Sequence, residues 1–305
     1  MRFADSLSFA DAALARRLEA AEAANACGCT PASPGAAFLH IGGGRAIFVG
    51  ADSPLTQAVG IGLDGPVSAA ELDALECFFR SREAKVSIDL CPLADPGLLA
   101  MLGERGYRAT EFNNVLMKRL AAAEIVLAPR VRRAMAGEED LWSHTVGRGF
   151  FEQGELTTAE MDVGRAIFAM PGALCYLAVE ETGEPAGGGA LAVRGGLATL
   201  FADSTIPAFR RRGHHCELIS ARLNEAIARG CDTATASTLP SNGILSAIAL
   251  GTLNPTPPES IPASALVPAI AISTSGTPFG IRICSTCASL APAKLPSSTI
   301  TLWCG

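Results

Sequence analysis

The chain has 305 residues, a formal net charge of −6 and an isoelectric point of about 5.3. This length is enough for about two domains, each with its own hydrophobic core. The acidic balance argues against nucleic acid as a partner, and no apolar run is long enough to cross a membrane, so we expect neither association.

Ten cysteines are spread along the chain without the spacing of a disulfide framework, and the first residues are charged and do not form an apolar signal segment. We therefore expect a cytoplasmic protein with reduced thiols. Neither the Cys27/Cys29 pair nor the Cys284/Cys287 pair has a partner pair at zinc-site spacing, so we expect no metal.

The first part of the chain predicts a helix followed by strands. Residues 5–26 place apolar side chains at helical spacing, with charges between them. Strands are predicted at residues 36–41 and 45–50, and the three glycines between them supply the positive φ of a tight hairpin. Another strand is predicted at residues 57–63.

Helices and strands then alternate. Ser68 and Glu71 have the spacing of a capping box, which predicts a helix that extends to about Arg82. The remaining elements of this half are a strand, a helix that Gly106 ends, and one or two final strands, at residues 85–90, 95–105 and 107–120.

A second series of elements follows a predicted linker at residues 121–128. Two helices are predicted, the second of them capped by Thr157, and the loop between them carries aromatic and acidic side chains to which we assign no catalytic role. A hairpin and a central strand come next. The predicted bounds are residues 137–148 and 157–168 for the helices, and 174–180, 186–193 and 197–202 for the strands.

A loop and a helix follow the central strand, at residues 209–229. Three arginines precede Gly213 there, and the amides of such a loop and of the first helical turn form an anion site. Gly213 lets the backbone approach a ligand closely. Positive charge in an acidic protein therefore predicts a small polyanion with phosphate groups. We expect Arg222, Glu225 and Arg229 to point outward from this helix, and a strand at residues 233–238.

The segment from Arg210 to Gly213 resembles the Q/R-x-x-G-x-G/A loop of the GCN5-related N-acetyltransferases, which holds the diphosphate of acetyl-CoA. His215 stands where that pattern usually has Gly or Ala. The resemblance implies an α/β (α+β) fold with a mixed, mostly antiparallel central sheet flanked by helices, and acetyl-CoA as co-substrate. It implies that the backbone of Asp203, Ser204 and Thr205 meets the pantetheine arm, and that the diphosphate is held by Arg210, Arg211, Arg212, Gly213, His214 and His215.

The first half resembles a degenerate copy of the same fold. Residues 102–107 are similar to the late helix end of the family, whereas residues 64–67, at the place of the diphosphate loop, contain no arginine. The resemblance therefore implies a tandem arrangement. Its parts are a degenerate domain at residues 1–120, a linker at 121–128 and a cofactor-binding domain at 129–242.

The composition changes after residue 242. Residues 243–305 hold eight of the nineteen prolines and only three charged side chains, Glu259, Arg282 and Lys294, which predicts an irregular tail. The late helix of the family, with its thiolate-protonating tyrosine, has no counterpart, since no tyrosine follows Tyr176. We hypothesise a reading-frame shift near residues 241–246.

The implied reaction is direct attack of an amine on the acetyl thioester. We identify no catalytic residue, because Asp203 is more readily interpreted as a loop-forming residue than as a base. The acceptor is a small-molecule amine or a protein amine, and the protein is a monomer or a homodimer. A non-catalytic acyl-CoA-binding or regulatory module is the alternative, and turnover against a panel of amines discriminates between the two.

Overall fold

The computed structural model describes residues 11–121, 126–152, 154–238 and 298–304, and all structural statements refer to these residues. Six α-helices lie against one sheet. They are α1 (Ala12–Gly28), α2 (Ala69–Arg80), α3 (Pro96–Glu104), α4 (Glu139–Phe151), α5 (Thr158–Phe168) and α6 (His214–Ala228).

Eleven strands build the sheet. They are β1 (Ala37–Ile41), β2 (Gly44–Phe48), β3 (Gln57–Val59), β4 (Val86–Leu90), β5 (Arg108–Arg119), β6 (Val131–Arg133), β7 (Leu174–Val179), β8 (Pro185–Arg194), β9 (Leu197–Thr205), β10 (Thr233–Thr238) and β11 (Ser298–Cys304). Their order is β1-β2-β3-β4-β11-β5-β10-β9-β8-β7-β6. Most neighbours are antiparallel, so the expected fold class is confirmed.

Local signals in the sequence place several of these elements. Ser68 and Glu71 form the predicted capping box at α2, and Thr157 and Glu160 form a second one at α5. Between β1 and β2, both turn glycines have positive φ, as a tight hairpin requires.

Two predictions differ from the observed structure, the end of one strand and the irregular tail. The strand expected at residues 57–63 ends at Val59, because Gly60 and Gly62 adopt positive φ and turn the chain. The region expected to hold one or two strands holds one long strand, β5, in agreement with the prediction. Within the tail expected to be irregular, Ser298–Cys304 forms a strand parallel to both β4 and β5.

Residues 239–297 lie outside the described part of the chain, and so do the Cys284/Cys287 pair and the site of the hypothesised frame shift. The first ten residues, which open the predicted N-terminal helix, also lie outside it. Within the described ranges, no helix combines the length and apolarity needed to cross a bilayer.

The helices divide between the two faces of the sheet. The side chains of α2 and α3 form one apolar cluster with β2, β3 and β4, and α6 packs on the same face against β7, β8 and β9. The opposite face carries α4 and α5 over the second half of the sheet, and α1 packs there against β2 and β3. Each half therefore has its own core.

Helix α1 connects the halves. Arg16 bonds Asp64 of the first half, whereas Arg17 bonds both carboxylate oxygens of Asp232 in the second half. Beneath the helix, Glu19 is 5% exposed. Burial, and then the nearby carboxylates of Asp89 and Glu22, raise the pKa of Glu19 to about 8.

The sheet is continuous through both halves because β5 pairs with strands on both of its sides. This strand ends the first half, yet it pairs antiparallel with β10 of the second half and parallel with β11. The last strand of the first half thus completes the sheet of the second.

Candidate functional site

Strands β9 and β10 separate at their carboxyl ends. They run parallel and pair only from Leu197–Leu200 against Thr233–Ala236. Beyond Leu200, β9 continues to Thr205, and no strand of the described chain pairs with that edge. Ligands of α/β sheets bind in such openings at the carboxyl ends of parallel strands.

A β-bulge lies inside this opening. The pairing of β8 with β9 shifts so that Ala202 and Asp203 together face the single residue Gly189, and Ala202 has a φ of +55°. A bulge leaves an extra residue outside the ladder of hydrogen bonds. Backbone groups of β9 are therefore available beside the cleft.

The bulge is held by an ion pair with α6. Arg222 is fully buried, donates two hydrogen bonds to the carboxylate of Asp203, and donates another to the carbonyl of Ala190 at 3.1 Å. A Cβ at Gly189 would come within 2.7 Å of this guanidinium, so glycine provides the space. The prediction that Arg222 points outward is wrong, because its charge is satisfied inside the protein.

The N terminus of α6 lies at the end of the loop that follows β9. Gly213 is the N-cap residue with a φ of +88°, and no side chain caps the helix. The first helical hydrogen bond of α6 joins the Glu217 amide to the Gly213 carbonyl, at 3.1 Å. The amides of His214, His215 and Cys216 therefore lie outside the helical ladder and are available to an anion.

Arg210 points away from this N terminus. Its guanidinium bonds Glu152 at 2.7 Å and the carbonyls of Gly149 and Thr205 at 3.0 Å. The resemblance implied that Arg210 holds the diphosphate. In the structure, its side chain connects the loop to the end of α4.

Arg212 and His214 share one partner, Glu180, at the end of β7. Glu180 lies 3.1 Å from the Arg212 guanidinium and 2.9 Å from the Nε2 atom of His214, and these bonds, that of His214 first, lower the pKa of the carboxyl. The His214 side chain is fully buried. Only its amide therefore faces the expected diphosphate position.

A further pair supports the loop from behind. Arg130, just before β6, donates to Glu217 at 2.6 Å and to the Arg212 carbonyl at 2.9 Å. In the described chain, Arg211 is the loop arginine without an ion pair, and it is exposed with a φ of +64°. A positive φ in a non-glycine residue stores backbone strain, a feature that clusters at ligand sites.

The other predicted contacts on β9 point to different faces. Ser204 is buried, and its hydroxyl bonds the Val146 carbonyl of α4 at 2.8 Å, so only its backbone can reach the cleft. Thr205 lies at the strand end, where its carbonyl accepts from Arg210. Asp203 faces α6. The structure therefore brings together the backbone edge of β9, the α6 amides and Arg211.

An open groove continues from the cleft along α6, and its enclosed volume is about 40 Å³. Most of its walls are apolar, and Asp203, bonded to Arg222, lies where the groove meets the separated strands. Apolar walls with few polar groups suit a flexible organic arm better than a charged ligand. The residues that line it are Leu116, Met117, Lys118, Leu200, Asp203, Ile219, Leu223, Ala234, Thr235 and Ala236.

The corresponding helix of the first half has a different N terminus. At α2, the Ser68 hydroxyl accepts from the Glu71 amide, and the Glu71 carboxylate accepts from the Ser68 amide at 2.8 Å. The carboxylate of the protein itself thus takes the position that an anion would need. This arrangement agrees with the absence of arginine at residues 64–67.

The supporting residues Arg130, Glu180, Glu217 and Arg222 were not predicted from the sequence. Helical spacing could have identified Arg222, since it lies one turn from Leu218 on one side and one turn from Ala226 on the other. Arg130 and Glu180 reach the loop from distant strands, and no local pattern indicates such contacts.

Two solved structures share this fold. A GCN5-related N-acetyltransferase from Kribbella flavida aligns over 73% of this chain and 85% of its own, with 18% identity and a TM-score of 0.53. A tandem GNAT protein from the clavulanic acid biosynthesis pathway aligns over 75% of this chain and 83% of its own, with 15% identity and a TM-score of 0.50. No protein-family model and no curated sequence matches the chain.

The chain therefore has the fold of the GCN5-related N-acetyltransferases, as the motif at Arg210 to Gly213 predicted. Each alignment is longer than either half, so the likeness extends beyond one half. At these identities the comparisons establish the fold alone, and the chemistry has to be inferred from the residues of this chain.

Proposed function

We propose that the second half of this protein binds acetyl-CoA and transfers the acetyl group to an amine. One observation carries the proposal: a single strand, loop and helix provide both an uncapped helix N terminus and a cleft beside it. The N terminus suits a diphosphate, and the apolar groove suits the pantetheine arm. The self-capped α2 offers no equivalent site.

The residues of the chain have separate roles in this proposal. The amides of His214, His215 and Cys216 hold the diphosphate, and exposed Arg211 adds positive charge. The free edge of β9 bonds the amide groups of the arm. At the bulge, an unpaired N–H of β9 polarises the thioester carbonyl, which a fixed backbone donor does without reorganisation.

The acetyl thioester supplies an electrophilic carbon. An amine nitrogen bonds to that carbon, the carbon–sulfur bond breaks, the sulfur takes up a proton, and the ammonium loses one. In the described part of the chain, Asp203 is the carboxylate that lines the groove, and its bonds to Arg222 make it a structural group. We therefore assign the proton transfers to water.

That same ion pair favours a second candidate, a module that binds acyl-CoA without turnover. In the part of the chain that the structure describes, the bonds to Arg222 occupy the carboxylate that lines the groove, Asp203. No tyrosine follows Tyr176 in the sequence. The two candidates agree on binding and differ in chemistry. Thiol release from acetyl-CoA with a panel of amines separates them.

The binding claim is tested by substitution of Gly213. In Gly213→Asp, the new Cβ lies 3.1 Å from Arg130, and a carboxylate takes the place of the anion, so calorimetric binding of acetyl-CoA should be lost. The matched control is Gly230→Asp at the other end of α6, where φ is also positive and no atom lies within 4 Å of the new Cβ. Unchanged affinity in a folded Gly213→Asp protein would contradict the proposal.

A further inference from the structure

His215 combines two properties at the expected diphosphate position. It is the second residue of α6, so its amide belongs to the group that an anion would engage. The His215 side chain is half-buried and lies on the same helix face as Arg222, two turns further along α6. Because Arg222 bonds Asp203 of β9, this face of the helix points toward β9. A titratable ring thus lies beside the anion site.

The ring lies near two charges that cancel. Asp203 of β9 and Arg222 of α6 are bonded to each other, so neither offers the imidazole a full counter-charge. Burial lowers the pKa of His215 below its ordinary value, while Asp203 opposes this effect and Arg222 adds to it. The ring in the free protein therefore holds a proton less readily than an ordinary histidine does.

Most positive charge around the loop is already compensated. Glu152 pairs with Arg210, Glu180 pairs with Arg212, and Arg211 is the loop cation without such a partner in the described chain. A diphosphate diester carries two negative charges, so a single free arginine leaves it under-compensated. The charged groups that act on the His215 ring are Asp203 of β9 and Arg222 of α6. The other charged and titratable groups of the loop and the first turn of α6, with their partners, are Arg130 before β6, Glu152 after α4, Glu180 after β7, Arg210, Arg211, Arg212, His214, Cys216 and Glu217.

We propose that diphosphate binding at this N terminus is coupled to the uptake of one proton by His215, so that the affinity for CoA increases as the pH falls. The inference rests on the proposed function, because it assigns a regulation to the same site. An anion within about 4–6 Å favours the imidazolium, and the proton comes from the solvent. A group that gains a proton on binding increases the affinity at low pH. This increase is lost as the pH rises through the pKa that the group has in the complex.

The probe is dephospho-CoA, because the 3′-phosphate of CoA itself has a second ionisation near pH 6 and would confuse the measurement. The full chain is titrated by calorimetry between pH 6 and about pH 8, in two buffers of different ionisation enthalpy. We expect the Kd to rise by up to about tenfold per pH unit, with uptake of up to one proton.

Two variants assign the proton. His215→Gln keeps the size and polarity of the ring roughly but cannot take up a proton, so its Kd should not vary with pH. The control His40→Gln, at an exposed histidine of β1, should retain the wild-type pH dependence. Binding of dephospho-CoA without proton uptake, or uptake retained in His215→Gln, overturns this inference alone. Absence of binding at every pH overturns the proposed function with it.

Discussion

Arg222 and Asp203 form an ion pair in which the guanidinium is fully buried and the carboxylate lies on the bulge of β9. The pair joins the cofactor-side helix to the strand whose backbone borders the cleft. Its loss should therefore affect both the stability of the fold and the geometry of the site.

Arg222→Met should destabilise the protein by about 3–5 kcal/mol, because it leaves the largely buried carboxylate of Asp203, 11% exposed, without its buried partner. Urea unfolding measures the change. The double variant Arg222→Met/Asp203→Asn removes both charges and should recover part of the loss. In the control, Arg229→Met breaks an exposed pair with Glu225 and should cost about 0.5 kcal/mol or less. A change of that size for Arg222→Met would contradict our assignment.

One molecule of CoA should bind per chain. The α2 N terminus of the first half is occupied by Glu71, whereas the α6 N terminus has no side-chain cap. A calorimetric titration of the full chain with CoA gives the stoichiometry directly. Two sites per chain would show that the first half has kept a cofactor site, and the Gly213→Asp variant would then retain one of them.

Stability should decrease as the pH rises from about 4.5 to about 8. The pKa of Glu19 is raised to about 8 by burial, so in this range the folded protein holds a proton that the unfolded chain has lost. Each pH unit can cost up to about 1.4 kcal/mol for one such group. Glu22, whose pKa is also raised to about 8, acts in the same direction.

Urea unfolding of Glu19→Gln at several pH values tests this effect, because the variant should lose part of the slope. Glu155→Gln, at an exposed position, serves as the control and should keep it. Acids with a lowered pKa, such as Glu138, act below this pH window. Constant or increasing stability between pH 5 and about pH 8 in the wild-type protein would refute the prediction.

The change of composition after residue 242 leads to a genetic prediction. If the reading frame shifts near residues 241–246, translation of the coding DNA in another frame should give a charged helix with Asn, a Gly-Phe pair and a segment with tyrosine. Sequencing of the gene beyond the Asn242 codon provides this check. If no frame yields that ending, the tail is an intended part of the protein and the binding-module candidate gains support.

Local chemistry made much of the fold predictable. The capping boxes at Ser68 and Thr157, the glycine hairpin before β2 and the loop at Gly213 each act over a few residues, and the structure has each element where its signal lies. The end of β3 was predicted wrongly. The apolar residues up to position 63 are typical of a strand, but Gly60 and Gly62 adopt positive φ and turn the chain after Val59.

The site was less predictable, because its side chains are oriented by partners far away in sequence. Arg210 belongs to a loop motif, yet its guanidinium is bonded to Glu152 and to the end of α4. Arg222 has the charge of a surface residue, yet Asp203 satisfies it in the interior. Backbone features such as Gly213 follow from the sequence nearby, whereas such pairings depend on the tertiary fold.

The position of β5 affects how the protein forms during synthesis. Arg108–Arg119 leaves the ribosome well before β10 and β11, the two strands that flank it in the finished sheet. Until β10 and β11 have been synthesised, both edges of β5 are open to pairing with other chains. Production of the first half by itself should therefore favour aggregation, and co-expression with the second half should relieve it.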